Sequence, residues 1–540
     1  MTPADAYARF DAMREALNEL RDADAVQRLW DRDASLWSDD SEVQAAIADR
    51  LGWFDVAGGQ PEWSGRLREF ADGVEADGID RVVLAGMGGS SLAPDVFSDV
   101  FADQHATRLV VLDSTHPDAV REILPDDGLA TTLVVVSSKS GTTAETRAFA
   151  LRAERQVPST RHLAAITDPG SNLAEEAGAR GWRAVFTNPA DIGGRYSALS
   201  LFGMVPAALI GVDIDAVWRS GAQMLTACGP THEGIDNPAL TLAAFMGGHA
   251  RAGRDKLTIL TSPALDTFAD WLEQLIAEST GKQGTGIVPV VREPVAAPTV
   301  YGDDRAFVVV EHRADPVPGI DELQEAGFPV LRITVDDRHD IGGEFVRWEA
   351  ATALAGGLLG IDPFDQPNVA ESKQNTNEVL DEVAAGTTLP DPEDGDVDEL
   401  LASVETGDYL SIQAYLAPDP KIADGITELR MIVRDNLKVA TTAGWGPRFL
   451  HSTGQLHKGG PNSVVVLQLV DVPDEDVEIP DRDHGFATLI RAQALGDLRS
   501  LRSHDRRVVQ RRVAGPEDIV RLIGDARALL HKPMSGQDSI

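Results

Sequence analysis

Cysteine is almost absent from this sequence: the only one among 540 residues is Cys228. An internal disulfide is therefore impossible and a thiolate metal cluster is excluded, so a reducing compartment, the cytoplasm, is the expected setting. Long apolar runs are missing as well. No stretch of 18 apolar residues occurs, and the opening MTPADAYARFDAMREAL lacks a basic patch followed by an apolar stretch. Neither a membrane span nor a secretory signal is expected. Lysine is scarce, 8 residues against 40 arginines, which makes the place of each lysine informative. The formal net charge of −38 repels nucleic acid and anionic lipid, partners that are bound through clustered cations. It repels small anions at long range too, so any phosphate site must be built from local donors.

Apolar residues make up 43% and charged residues 25% of the chain, the proportions of a soluble globular protein. At this length two main domains with terminal elaborations are expected in place of a single core. Residues 1–60 carry helical patterns rich in Ala, Leu, Arg and Trp and read as an amino-terminal helical segment. From Arg81 short β-branched runs alternate with helical stretches: RVVLAG at Arg81, RLVVLD at Arg108, TLVVVSS at Thr132 and HLAAIT at His162. A second series follows with KLTILT at Lys256, AFVVVE at Ala306 and PVLRIT at Pro329. Such alternation implies parallel sheets covered by helices. The expected class is α/β, with one doubly wound domain over 61–230 and a second over 231–383. The acidic stretch AAGTTLPDPEDGDVDE fits an exposed linker, 384–399. Beyond it lies a carboxy-terminal segment, 400–540, with a strand-like VVVLQLV at Val464 and an Arg-rich amphipathic end. No repeat of fixed period is visible.

The run VVLAGMGGSSLAPDVF passes from a strand through Gly86, Gly88 and Gly89 into a helix beginning near Ser90 or Ser91. Such a turn aims free backbone N–H groups and the positive end of a helix at an anion. A dinucleotide site is the rival reading, but the GxGxxG pattern fails where its third glycine is Ser91. A tight turn without a ligand is the plainest alternative. The second loop, VVVSSKSGTTAET, offers Ser138, Ser140, Thr142 and Thr143 around Lys139 and Gly141. Clustered hydroxyls and amides at a helix start suit a phosphate dianion, whereas the GxxxxGK[ST] spacing of a nucleotide loop is absent. Here the competing reading is a Ser/Thr-rich helix cap. Two such loops in adjacent βα units converge on one strand edge, the usual ligand position in an open sheet.

In DIGGRYSALS the pair Gly193-Gly194 lets the backbone approach closely while Arg195, always charged and rich in donors, points into a cleft. Its bland alternative is a surface salt bridge. WLEQLIAESTGKQGTG places Glu278 near the end of an apolar helix, where partial burial raises a carboxyl pKa toward the range of a general base. On spacing alone an exposed glutamate is the default. PFDQPNVAESK contributes Gln366 and Lys373, and GPRFLHSTGQLHKGGPN contributes Arg448, His451, Gln455, His457 and Lys458. Histidine is the side chain best suited to moving protons near neutral pH. His451 and His457 lack the i, i+4 spacing of a helical metal pair. No metal and no nucleotide cofactor is expected.

Taken together, GMGGSS, SKSGTT, DIGGRYS, AESTGK, FDQPNVAESK and LHSTGQ resemble the phosphoglucose isomerase family over roughly residues 80 to 460, with GGRYS and FDQxxVxxxK the most specific pieces. The resemblance implies two sugar-isomerase (SIS) type doubly wound domains in an α-β-α sandwich, with amino-terminal helices and a carboxy-terminal extension. It also implies a metal-independent exchange of glucose 6-phosphate and fructose 6-phosphate through ring opening and a cis-enediol, a step of glycolysis and gluconeogenesis. On this likeness the phosphate grip falls on Ser138, Lys139, Ser140 and Thr143, with Gly89 and Ser90 lining the same pocket. Arg195 matches the arginine that stabilises the enediol-like intermediate, and Glu278 the base that carries the proton between C1 and C2. Gln366 and Lys373 match the second family signature. His451 looks like the ring-opening histidine, which in that family comes from the neighbouring subunit, so a homodimer is implied.

One departure is the order of motifs. The family's histidine lies between the glutamate and lysine motifs, whereas His451 follows Lys373. The words GPRFLHSTGQLHKGGP look like the isomerase half of bifunctional transaldolase–phosphoglucose isomerases, and no transaldolase barrel fits before residue 80. Two rival functions share the same motifs. One is dual activity on mannose 6-phosphate at the same metal-free site. The other is a sugar-phosphate sensor of this fold, which needs the phosphate loops but not the proton-transfer set Glu278, Lys373 and His451. A metal-dependent phosphomannose isomerase needs clustered His and Glu ligands on an all-β scaffold, and the sequence supplies neither.

Overall fold

The computed structural model describes residues 11–59, 61–104, 107–232 and 234–530. The ten residues at each end, including the opening that carries no signal pattern, lie outside the described residues. All eight β-branched runs form strands. β1 (Arg81–Gly86), β2 (Arg108–Leu112), β3 (Thr132–Ser137), β4 (Leu163–Thr167) and β5 (Ala184–Thr187) make a parallel sheet in the order β2-β1-β3-β4-β5. β6 (Lys256–Thr261), β7 (Val288–Val290), β8 (Arg305–His312) and β9 (Val330–Val335) make a second, ordered β7-β6-β8-β9 and also parallel.

The carboxy-terminal segment, expected only as an extension, holds a third parallel sheet. It comprises β10 (Tyr409–Tyr415), β11 (Ala440–Trp445), β12 (Val464–Val470) and β13 (Arg507–Arg512), ordered β11-β10-β12-β13. All three sheets thus repeat one winding that the sequence does not show as a repeat. Five strands lie outside those eight runs. Four of these, β5, β7, β11 and β13, are edge strands, where polar residues and even Pro289 are tolerated.

The fifth, β10, is central and fully buried yet contains Ser411 and Gln413. A glutamine ladder explains it: Gln413, Gln468 and Gln510 occupy one register across β10, β12 and β13. Gln510 donates to Gln468 at 2.7 Å, Gln468 reaches Gln413 at 3.4 Å, and Gln413 and Ser411 each meet a ring nitrogen of His457 at 3.2 Å. Beside this layer the ion pair Lys458–Asp497, 2.6 Å, is wholly buried. Buried polar groups are tolerated only when paired in this way.

The first two sheets share one continuous core, in which Leu84 and Ile166 join Phe245, Val308 and Trp348. The amino-terminal helix Asp11–Asp22 packs on the helix Pro238–Arg251, close enough that a Cβ at Gly248 would lie 2.6 Å from the Ala12 carbonyl. The third unit has its own core around Ile412 and Leu467. It docks on the first sheet through Phe486 and Leu489 and on the second through Tyr409 and Val464. The acidic linker is exposed in its side chains, but its backbone is not free. Arg512 N–H donates to the Glu393 carbonyl and Gly395 N–H to the Gln510 carbonyl, each at 3.0 Å, so the stretch covers the edge of β13. Among the described residues no helix is long and apolar enough to cross a membrane. Cys228 is fully buried, and burial pushes its thiol up to about 12, so it is inert.

In the shared winding, the chain leaves the first and third strands of each sheet in opposite directions, which opens a crevice at their carboxyl ends. In the first sheet those ends carry the two loops GMGGSS and SKSGTT. In the third sheet the crevice is closed. Asp471, just after β12, accepts from Ala417 N–H at 3.2 Å and meets Nε2 of the buried His116 at 3.1 Å.

A cavity of about 330 Å³ lies where the third unit meets the second, between Glu273, Arg430 and Trp445. Burial pushes the Glu273 carboxyl up to about 8, with Asp270 adding to the rise and Arg430, Arg448 and Arg292 opposing it. Below about pH 4.5 this group is protonated whether the chain is folded or not. As pH climbs toward 8 the unfolded chain releases the proton while the folded chain holds it, so stability falls. Glu273→Gln should therefore raise the unfolding midpoint at pH 8 and much less at pH 4.5, in thermal melts of both proteins. Equal gains at both pH values would point to packing in place of ionisation. The charge of −38 makes a second prediction. Salt shortens the screening length from about 10 Å at 0.1 M to about 3 Å at 1 M, which weakens self-repulsion among the carboxylates. The midpoint should rise across that range of KCl; a flat or falling midpoint would contradict it.

Candidate active site

Arg195 sits on the short turn Gly194–Tyr196 after β5 and is 1% exposed, so the surface salt-bridge reading fails. Its guanidinium is held on every side. Nε donates to Ser279 Oγ at 2.7 Å, Nη1 to Gln366 Oε1, and Nη2 to the carbonyls of Pro363 at 2.6 Å and Asp365 at 3.0 Å. A guanidinium has five N–H groups, and the remaining one is on Nη1, the nitrogen that lies 3.4 Å from Glu278 Oε1. Lys282 clamps the same 362–365 segment, donating to the Asp365 carbonyl at 2.7 Å.

Glu278 is 4% exposed on the helix Asp266–Thr280, so it is not the exposed glutamate that spacing alone would predict. Burial raises its pKa; the Arg195 charge, a hydrogen bond from Gln274 and the His451 charge oppose the rise. Gln274, one helical turn earlier, donates to Glu278 Oε2 at 3.0 Å and to the His451 carbonyl at 2.7 Å. That i, i+4 spacing is the local signal that marks Gln274 as a partner.

His451 lies on the turn Arg448–His451 that follows β11, with Nε2 3.0 Å from Glu145 Oε1. The pairing is made within one chain, whereas the resemblance implies a histidine from a neighbouring subunit. Burial would raise the Glu145 pKa, but His451 and the Lys373 charge outweigh it and hold the carboxyl low. Glu145 passes in the sequence for an ordinary acidic residue in the first turn of the helix Ala144–Gln156. Gln493, also a partner of Glu145 at 2.8 Å, has no local signal at all. Thr142, Glu145, Lys373, Leu450, His451 and Gln493 line a cleft of about 260 Å³.

The hydroxyl-rich loop borders this cleft through Thr142. Ser138 is buried and donates to Thr143 Oγ1 at 3.3 Å, while Ser140 and Thr142 are exposed and meet at 2.9 Å. Thr143 makes no side-chain cap to the helix it precedes, so the N–H groups of that first turn are not used by it. Lys139 is turned aside, paired with Asp168 and donating to the Ala190 carbonyl at 2.8 Å. Gly89 and Ser90 lie on the loop that packs closely against the turns bearing Arg195 and His451. A Cβ on Gly89 would stand 2.2 Å from the Gly194 carbonyl, and one on Gly88, at φ 53°, would stand 2.7 Å from the His451 carbonyl. The glycines let this loop pack between the Arg195 and His451 turns, and the Ser90 carbonyl ties it to Ser137 Oγ at 2.9 Å. Gln366 is exposed apart from its bond to Arg195, and Lys373 is exposed on the cleft wall.

Glu278, Arg195 and the hydroxyl-rich loop are thereby linked through Gln274, His451 and Glu145. His457, six residues on, is a structural residue: burial and the charges of Lys458 and Arg506 depress it to about 3, and it stays neutral. Among the described residues no cluster of His, Cys, Asp or Glu is arranged to hold a metal ion.

Residues 62–305 match the family described as phosphoglucose isomerase. A glucose-6-phosphate isomerase of Synechococcus elongatus is 31% identical over 351 residues, covering 56% of this chain and 66% of the relative. The one from Acaryochloris marina is 36% identical over 55% of this chain and 65% of its own length, so the chain spans somewhat under two thirds of these relatives. That of Thermosynechococcus vestitus is 28% identical over 69% of this chain and 80% of its own. A crystal structure of a hypothetical protein from Thermus thermophilus superposes with a TM-score of 0.58 at 25% identity, covering 68% of this chain and 97% of that one. A glucose-6-phosphate isomerase structure from Chlamydia trachomatis, at 21% identity and a TM-score of 0.51, shares the fold over 66% of this chain and 78% of its own. The match over residues 62–305 places that part of the chain in the phosphoglucose isomerase family.

Proposed function

We propose that this protein is a cytoplasmic enzyme that interconverts glucose 6-phosphate and fructose 6-phosphate. One observation carries the reading: a buried carboxylate of raised pKa, Glu278, stands 3.4 Å from the guanidinium of Arg195 and is joined through Gln274 to the His451–Glu145 pair. The first turn of the helix Ala144–Gln156 and the hydroxyls at Ser138, Ser140, Thr142 and Thr143 receive the phosphate, a source of binding energy remote from the reacting carbons. Lys139 joins them by exchanging Asp168 for the phosphate. His451, with Lys373 beside it, moves the proton between O1 and O5 that opens the ring. Glu278 then takes the C2 proton of the open chain and returns it to C1. The free N–H on Arg195 Nη1 faces the charge that develops on the enediol oxygens, and Gln366 keeps that guanidinium in place.

His451 is taken here from the same chain as Glu145, and the homodimer that the resemblance implies is kept as part of this reading. A sensor needs the phosphate loops but has no use for a buried, charge-paired base. Glu278→Gln keeps the shape and the hydrogen bond to Gln274 but cannot accept a proton. Its kcat for fructose 6-phosphate formation should fall by about 10² to 10⁴, with little change in sugar-phosphate affinity measured by calorimetry. Parental turnover in that variant would remove Glu278 from the mechanism, and inert wild-type protein that binds tightly would favour the sensor.

A further inference from the structure

Gln493 is 2% exposed on the helix Phe486–Ser503 and donates from Nε2 to Glu145 Oε1 at 2.8 Å. His451 Nε2 meets the same oxygen at 3.0 Å. At its far end Gln493 Oε1 accepts from the hydroxyl of Thr115, a fully buried residue, at 2.7 Å. The two ends of an amide are nearly alike in shape, so its partners decide which way it points. An ionised Glu145 accepts only, and the Thr115 hydroxyl is free to donate, so the N–H₂ end must face Glu145. His451 must then give its Nε2 hydrogen to the carboxylate, which leaves the lone pair on Nδ1.

We propose that Gln493, oriented by Thr115, is a positioning residue that fixes the Glu145 carboxylate and, through it, the tautomer and angle of the His451 ring. The chemical consequence rests on the isomerase reading above; the geometric one does not. Other charged groups also face the pair. Lys373 approaches Glu145 from the helix Pro367–Ala384, and Glu278, beside Arg195 and Lys282, faces His451 from the helix Asp266–Thr280. Tyr415, at the end of β10, lies within the influence of both Glu145 and Asp497. All of these stay in place when only Gln493 or Thr115 is changed, so a shift in titration would report the amide.

Gln493→Met keeps the length of the side chain and removes its donor. The Glu145 charge is then shared with one hydrogen-bond donor fewer, so it favours the imidazolium more strongly. The acid limb of the pH–rate profile should move to higher pH, and kcat should fall roughly 10- to 100-fold with KM changed by less than about twofold. Thr115→Val should move both in the same direction, and Thr115→Ser, which keeps the hydroxyl, should match the wild type. A Gln493→Met enzyme with parental kcat and an unmoved acid limb, alongside active wild type, would overturn the proposal. Should Gln493→Met show no cooperative unfolding transition, the two Thr115 variants decide by the same readouts. Should the wild type itself fail to isomerise the sugar, the isomerase reading falls, and ¹⁵N shifts of the His451 ring carry the test. An Nε2–H tautomer in the wild type that redistributes toward Nδ1–H in the Thr115→Val variant supports the proposal; identical shifts in both overturn it.

Discussion

A guanidinium cannot give up its charge, so burying Arg195 to 1% exposure forces its surroundings to supply acceptors for it. The acceptors come from places far apart in the chain: Ser279 on the helix after β6, and the Pro363–Gln366 segment that leads into the helix carrying Lys373. Leaving such a charge unpaired typically costs about 3 to 5 kcal/mol. This one side chain therefore couples the closing turn of the first sheet to the second, and it delivers Glu278 to its place as a consequence. The close approach of Gly89 to Gly194 keeps the same seam tight.

The third sheet matters because of where β11 ends. Its carboxyl end presents the turn bearing His451 to a cleft whose other wall belongs to the first domain and the helix Pro367–Ala384. Behind that turn, the glutamine ladder, neutral His457 and the pair Lys458–Asp497 anchor the following helix from below. Two histidines six residues apart have opposite fates for a physical reason. His457 hydrogen-bonds to the neutral Ser411 and Gln413, and burial together with the nearby Lys458 and Arg506 charges expels its charged form, whereas His451 faces the carboxylate of Glu145 at the edge of a cleft.

The rearranged motif order is accommodated by the same architecture. Because the three sheets share a winding and dock along common seams, a segment placed late in the chain, and not between Glu278 and Lys373, still reaches the cleft. The strongly acidic surface imposes a different constraint. Lys139 is already engaged by Asp168, so on the isomerase reading proposed above a phosphate would lean on hydroxyls and helix N–H groups.

By itself the sequence determined the α/β class, the eight strands rich in β-branched and apolar residues, and the residue types at Arg195, Glu278, Lys373 and His451. Strands buried on both faces are mostly apolar, and proton transfer admits few side chains, so both leave a local mark. Only the tertiary structure decided that the carboxy-terminal segment forms a third sheet, that Glu145, Gln274 and Gln493 partner the proposed proton-transfer groups, and that His451 meets Glu145 within its own chain. A polar strand such as β10 is stable only through the ladder of its neighbours. Hydrogen-bond partners are chosen by distance in space, and residues hundreds of positions apart carry no local pattern from which that distance can be read.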